Sequence, residues 1–177
     1  IDAAKAAGVE RGVEAPIVTL SRSIIVPFLQ FSAQRDLRKK AYEAWAARGA
    51  HTGAHDNRSL ALEMLVLRQE MAELLGYPDF ASFKLETEMA KTPKNVSKLL
   101  KDVWQPAKAR AEQDAGVLQE MMRAEGLNDN LEKWDWRYYA EKRRAVEFDL
   151  DEAQLKPYFQ LDQMIAAAFD CANRLFG

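Results

Sequence analysis

Apolar residues recur along this chain at helical spacing, and that recurrence most constrains what it can fold into. Leu60, Met64, Leu67, Met71 and Leu74 stand at i, i+4, i+7, i+11 and i+14, a spacing that lines one face of an α-helix. Asp56 and Asn57 precede the run as capping residues, and Gly76 and Pro78 follow it. Gly suits the left-handed position past a helix end, and Pro cannot continue a helix. The same grammar repeats. RDLRKKAYEAWAAR at 35–48 places Leu37, Ala41, Ala44 and Trp45 on one face, with Arg38, Lys39 and Glu43 mostly off it. Thr92 caps a long stretch with Pro93 in its first turn. Its stripe is Val96, Leu100, Val103, Ala107, Ala111, Asp114, Leu118 and Met121, ended by Gly126. Pro106, inside that stripe, predicts a kink or a split into two helices.

Shorter segments fill the rest. Ser21 or Ser23 caps a short helix over 24–31, ASFKLETEMA makes another, and WDWRYYAEKRRAVEF a further one with Asp135 as its cap. Asp162 caps a last helix whose broad apolar face holds Met164, Ile165, Ala168, Phe169, Ala172, Leu175 and Phe176. VEAPIVTL at 13–20 reads as a strand, with Pro16 placing it at a sheet edge, and 146–150 as a short extended piece. The expected architecture is all-α: one helical region over residues 1–177, an irregular array of about seven to nine helices with at most one or two short strands.

Composition narrows the functional classes. Of 177 residues, 25 are Lys or Arg and 27 Asp or Glu, a formal net charge of −2. That balance argues against a general nucleic-acid binder. The basic clusters RDLRKK and EKRR carry Asp36 and Glu141 inside them and read as solvated helix faces. No apolar run approaches the roughly 20 residues of a membrane helix. A single cysteine, Cys171, cannot form an internal disulfide. It falls on the apolar side of the last helix and reads as a buried structural thiol.

Motifs that carry chemistry are few. His51 and His55 have the i, i+4 spacing of two zinc ligands on a helix. Gly53 lies between them, Thr52 occupies the place of the required carboxylate, and there is no third histidine. They read as a solvated loop. No Gly-x-Ser-x-Gly elbow and no Gly-rich phosphate loop is present. Asp149, Asp151 and Glu152 lack the length and spacing of a calcium loop and read as a surface turn. The most distinctive segment is WDWRYY at 134–139. Its aromatic residues suit either a core edge or the wall of a peptide groove, and spacing alone favours packing between helices.

RDLRKKAYEAWAARG, HDNRSLALEMLVLRQEMAELLGYPDFASFKLETEMAKTP, WDWRYYAEKRR and LKPYFQLDQMIAAAFDCANRLFG, in that order, resemble the thimet oligopeptidase family of zinc metallopeptidases, most closely its peptidyl-dipeptidase branch. The resemblance covers nearly the whole chain from about Ile17. It implies a larger, mostly helical enzyme with a deep channel for short peptides. In that family zinc sits in a His-Glu-x-x-His motif plus a more distant Glu, and the motif's Glu activates water. That motif would lie downstream of Gly177. The resemblance therefore implies no catalytic residue and no metal ligand in this chain, which alone would be inactive and bind no zinc. Its role would be channel wall and scaffold, packed against a missing catalytic lobe of the same polypeptide. Alone, it could dimerise through the uncovered faces. Arg137, Tyr138 and Tyr139 of the WDWRYY helix are the substrate-channel candidates, and the Gly-rich loop around His51 to His55 is a candidate for groove contact as well. Alanine at Arg137 or Tyr139 is expected to raise the Michaelis constant more than it destabilises the fold. Partners are short peptides, with no nucleic acid and no membrane, in the cytoplasm, with the periplasm the alternative. The competing reading is a stand-alone helical interaction module with no enzymatic activity.

Overall fold

A computed structural model describes residues 2–148 and 152–177. Those residues are helical, with no strand among them, so the all-α expectation holds. The chain divides into two compact units, Ile1–Tyr139 and Ala140–Gly177.

The first unit opens with α1 (Asp2–Val9) and an extended segment. That segment is the expected strand at 13–20, and it is not one. Pro16 lacks a donor, and no second strand lies beside it among the described residues. Instead the Ile17 N–H donates to the Ala4 carbonyl of α1 at 2.8 Å. α2 (Arg22–Phe31) buries Ile25 and Leu29, one turn apart. Its N-cap is Ser21, but the Ser21 hydroxyl bonds Thr19 Oγ1 and Ser23 Oγ, not the helix. α3 (Arg35–Ala46) follows directly. A loop closed by the Asn57 N–H donating to the Gly49 carbonyl at 2.8 Å then carries His51 and His55, both exposed. Asp56 accepts from the Arg58 N–H and guanidinium, so it rather than Asn57 supplies the side-chain cap of α4 (Arg58–Leu74).

α4 ends as its sequence dictates. Gly76 takes φ +83°. Its N–H donates to Glu73 O, and the Tyr77 N–H reaches back to Ala72 O, both at 2.9 Å. These two bonds satisfy carbonyls that every helix end orphans. α5 (Phe80–Leu85) is capped by Asp79, whose carboxylate accepts from the Ser82 N–H at 2.6 Å. Around it Tyr77 meets Phe83 edge to face, and Phe80 packs on Phe83 at a tilt. α6 (Pro93–Ala124) is 32 residues long, about 48 Å. Thr92 caps it by accepting from the Asn95 N–H, and Gly126 (φ +84°) closes it with the same pair of backward bonds as Gly76. The helix runs unbroken through Pro106. Proline's fixed φ is itself helical, and the Asp102 carbonyl that loses its donor lies on an exposed stretch, where solvent can satisfy it.

The core of this unit is small. Ala7, Ile25, Leu29, Ala72, Leu118, Met122 and Tyr139 are its buried apolar residues. The expected inward stripes are mostly not inward. Leu60, Met64, Leu67, Met71 and Leu74 of α4 are all exposed, as are Leu100, Val103, Ala107 and Ala111 of α6. Only the last turns of α6 are covered, at Leu118 and Met122.

The second unit holds the rest of α7 (Trp136–Phe148), then α8 (Glu152–Leu155), a 3-10 turn (Lys156–Tyr158) and α9 (Leu161–Phe176). The extended piece expected at 146–150 is helical through Phe148, and its last two residues lie outside the described ones, as do Asp149 and Asp151 of the acidic turn. The EKRR cluster pairs along its own helix, Arg144 with Glu141 and Arg143 with Glu147. Gln160, not Asp162, is the N-cap of α9, and Asp162 sits in the first turn where it favours the helix dipole. Every residue from 161 to 177 is exposed, including Phe169 at 73%. Cys171 is therefore an exposed thiol rather than a buried one, because nothing covers the apolar face of α9 within this unit.

Leu118→Ala should cost about 2–5 kcal/mol of stability. Leu67→Ala, at a site 56% exposed, should stay within about 0.5 kcal/mol. Urea unfolding of the two variants checks both.

Candidate functional site

The first turn of α7 sorts the WDWRYY segment by helical geometry. The Asp135 carbonyl accepts from the Tyr139 N–H at 3.0 Å and starts the helix. Asp135 and Tyr139, four apart, point inward and are fully buried. Trp134 and Tyr138, also four apart, are half-buried, while Trp136 and Arg137 are exposed.

Asp135 does not cap its own helix with its carboxylate. It turns instead to α3, about a hundred residues back. Arg38 Nη2 donates to Oδ1 at 2.7 Å, and Arg35 Nη2 and Nε donate to Oδ2 at 2.9 and 3.1 Å. The Glu132 N–H adds a bond at 3.2 Å. Arg38 also donates to the carbonyls of Ser32 (2.8 Å) and Trp134 (3.3 Å). Arg35 pairs with Asp129 and donates to the Asn130 carbonyl. Two cations thus face two carboxylates, and the described residues contain no buried side-chain nitrogen or oxygen without a partner. Arg38 is 1% exposed, although the sequence placed it on a solvated face, and Arg35 is half-buried. The inward face of α3 is therefore Arg35, Arg38, Tyr42 and Trp45, while Leu37 is exposed. The reason is chemical: a buried carboxylate demands a cation more strongly than a leucine demands cover.

Aromatic rings close around the pair. The Arg38 guanidinium carbon lies 4.1 Å from the centre of the Tyr138 ring. Lys39 Nζ lies 5.1 Å from the Trp134 ring, whose edge also meets Tyr42. Tyr138 and Tyr139 pack at 85° with centroids 5.2 Å apart, and the Tyr139 hydroxyl bonds Glu125 Oε2 at 3.2 Å. From α6, Gln119 donates to the Asp129 carbonyl (2.9 Å) and accepts from the Leu131 N–H (2.6 Å), which pins the loop before α7. Beside that loop an open cleft of about 490 Å³ runs between Ala115 and Gly116 of α6 and Leu131, Lys133 and Trp136.

Of the three residues expected at a channel, Arg137 is exposed with no ion-pair partner among the described residues, and Tyr138 is half-exposed. Tyr139 has no exposed surface and is part of the core. His51 and His55 remain on their loop. The described residues bring together no group of three His, Cys, Asp or Glu side chains able to hold a metal. The described residues do not fit a zinc centre. What the site offers is recognition: a free guanidinium for a carbonyl or carboxylate, and tyrosine and tryptophan surfaces for side chains.

Burial pushes the Asp135 carboxyl up, but hydrogen bonds from Arg35, Arg38 and the Glu132 N–H, with the Arg35 charge, outweigh it and hold it below the ordinary carboxylate value. A carboxylate depressed in this way stabilises the fold above its unfolded pKa, near 4, and loses that contribution as pH falls through the depressed value. Asp135→Asn should cost about 3–5 kcal/mol at pH 7. Its deficit against the parent chain should shrink below about pH 4, measured by urea unfolding at several pH values. Tyr139→Ala should cost about 3–5 kcal/mol, and Tyr139→Phe only about 1 kcal/mol for the bond to Glu125. Thermal unfolding of the pair separates packing from hydrogen bonding.

Comparison with known proteins places the chain in a family. Residues 28–177 match peptidase family M3. The chain is 32% identical over 177 residues to dipeptidyl carboxypeptidase of Escherichia coli, covering 99% of this chain and 26% of that protein. It is 31% identical over 179 residues to oligopeptidase A of the same organism, again 99% and 26%. It is 34% identical over 166 residues to a probable cytosolic oligopeptidase A of Arabidopsis thaliana, covering 91% of this chain and 23% of that one. The chain spans about a quarter of the length of these relatives. With the match running through the α3 arginines, Asp135 and the whole of α7, this chain belongs to peptidase family M3.

Proposed function

We propose that this chain is a helical wall of a longer zinc-dependent oligopeptidase of the peptidyl-dipeptidase kind, and that it shapes a channel for short peptides rather than cleaving them. One observation carries the reading: apolar surface that a finished protein would cover. Leu60, Leu67 and Leu74 of α4, Leu100 and Trp104 of α6, and Phe169 and Leu175 of α9 are all exposed. Apolar helix faces left in water in this way are what an interface would use. In this reading it packs against the three-quarters of the polypeptide that the relatives have in addition. Zinc and the general base belong to that remainder.

Within the chain, Arg137 and Tyr138 are the peptide contacts, and Tyr139 supports them from beneath. The wall narrows the channel, excludes water and fixes the peptide's position relative to the metal. The proposed compartment is the cytoplasm, the location named for the Arabidopsis thaliana relative, with the periplasm as the alternative.

Sequencing the gene beyond Gly177 should reveal a His-Glu-x-x-His motif. The longer protein should release dipeptides from short peptides, and the 177-residue chain should not. Leu67→Ser, nearly neutral in the 177-residue chain, should cost about 2 kcal/mol or more in the longer protein, where the residue is covered. A reading frame that stops near Gly177 without the motif leaves the helical interaction module as the function.

A further inference from the structure

The geometry points to Arg38 as a positioning residue for peptide recognition, acting through Tyr138. The inference rests on the reading above, in which the first turn of α7 faces the peptide. Arg38 is buried, and three acceptors in different directions hold its guanidinium plane: Asp135 Oδ1, the Ser32 carbonyl and the Trp134 carbonyl. A plane fixed by three partners cannot swing without breaking at least one charge-assisted bond. That plane lies 4.1 Å from the centre of the Tyr138 ring. The edge contact of the ring is Tyr139, itself fixed by burial and by Glu125. Tyr138 therefore stands between two immobile groups while keeping part of its surface open. A ring held in place before the peptide arrives loses less entropy on binding, so the benefit appears in affinity.

Lys39 provides an internal control. It makes the same kind of contact with Trp134, at 5.1 Å, but its side chain is exposed and no hydrogen bond among the described residues orients its ammonium. Its removal should leave peptide affinity unchanged.

The experiment uses the longer, zinc-loaded protein and an internally quenched fluorescent pentapeptide. Tyr138→Ala should raise KM about tenfold with kcat within about twofold. Arg38→Met should raise KM by a similar factor, and the double variant should be no worse than Tyr138→Ala alone, because both remove one device. Arg38→Lys keeps the charge on Asp135 but loses the planar fork. It should fold and still raise KM about threefold or more. The near-ultraviolet circular dichroism of the tyrosines should weaken in both Arg38 variants. If Arg38→Met does not fold, Arg38→Lys alone decides. If Tyr138→Ala raises KM while Arg38→Lys keeps the KM of the parent and only lowers Tm, positioning by Arg38 is overturned and the channel reading survives. If Tyr138→Ala leaves KM unchanged, the peptide-facing role of α7 fails, and the inference with it.

Discussion

The buried pairing of Asp135 with Arg35 and Arg38 is the constraint on which the first unit depends. Few apolar residues of this unit are fully buried, so the polar centre holds what a larger core would hold elsewhere. Asp135 is 0% exposed. A carboxylate taken out of water without partners costs several kcal/mol, and repayment requires good geometry and complete hydrogen bonding. Both are present. Once the charge is buried, much else follows. α3 must turn its arginine face inward, Ser32 and Trp134 must offer their carbonyls, and the loop at 127–135 must close over the pair. Gln119 fixes the same loop from α6 with two backbone bonds. The start of α7 is thereby located by two helices at once, which gives the direction of its first turn a definite value.

The rest of the molecule shows the opposite condition. α4, most of α6 and α9 are regular helices, yet most of their apolar residues meet no cover. A helix ordinarily gains its stability from tertiary packing of one face. These helices rest on their caps, on ion pairs such as Lys98–Asp102 and Arg174–Asp170, and on end motifs. Their stability therefore comes from contacts along the chain rather than from packing on the apolar face. The relatives, about four times longer, are compatible with such a partner within one polypeptide.

Local structure was the legible part of the sequence. Thr92 caps the helix it precedes, and Gly76 and Gly126 end theirs with paired backward bonds. Each of these events involves residues within six positions of one another, so spacing determines it. Burial was less legible. Periodicity says which residues share a face but not whether anything packs on that face. Leu67 and Cys171 therefore came out exposed where an apolar stripe suggested cover. Pro106 does not split α6, because an exposed carbonyl tolerates the lost donor.

Arg38 shows the deepest limit. Its neighbours in RDLRKK make it look like one cation among several on a wet face. The only residue that explains it, Asp135, stands 97 positions away among aromatics. Two hints were present: Arg35 and Arg38 are three apart and share a face, and Asp135 is a lone acid between two tryptophans. Neither hint names the other. The candidate site inherits that limit, because Arg137, Tyr138 and Tyr139 are consecutive and look alike as a group. The helix separates them by about 100° per residue, and the direction set by the Asp135 pairing decides which are core and which are surface. Tyr139 is turned into the core and Arg137 to the surface through the same buried charge.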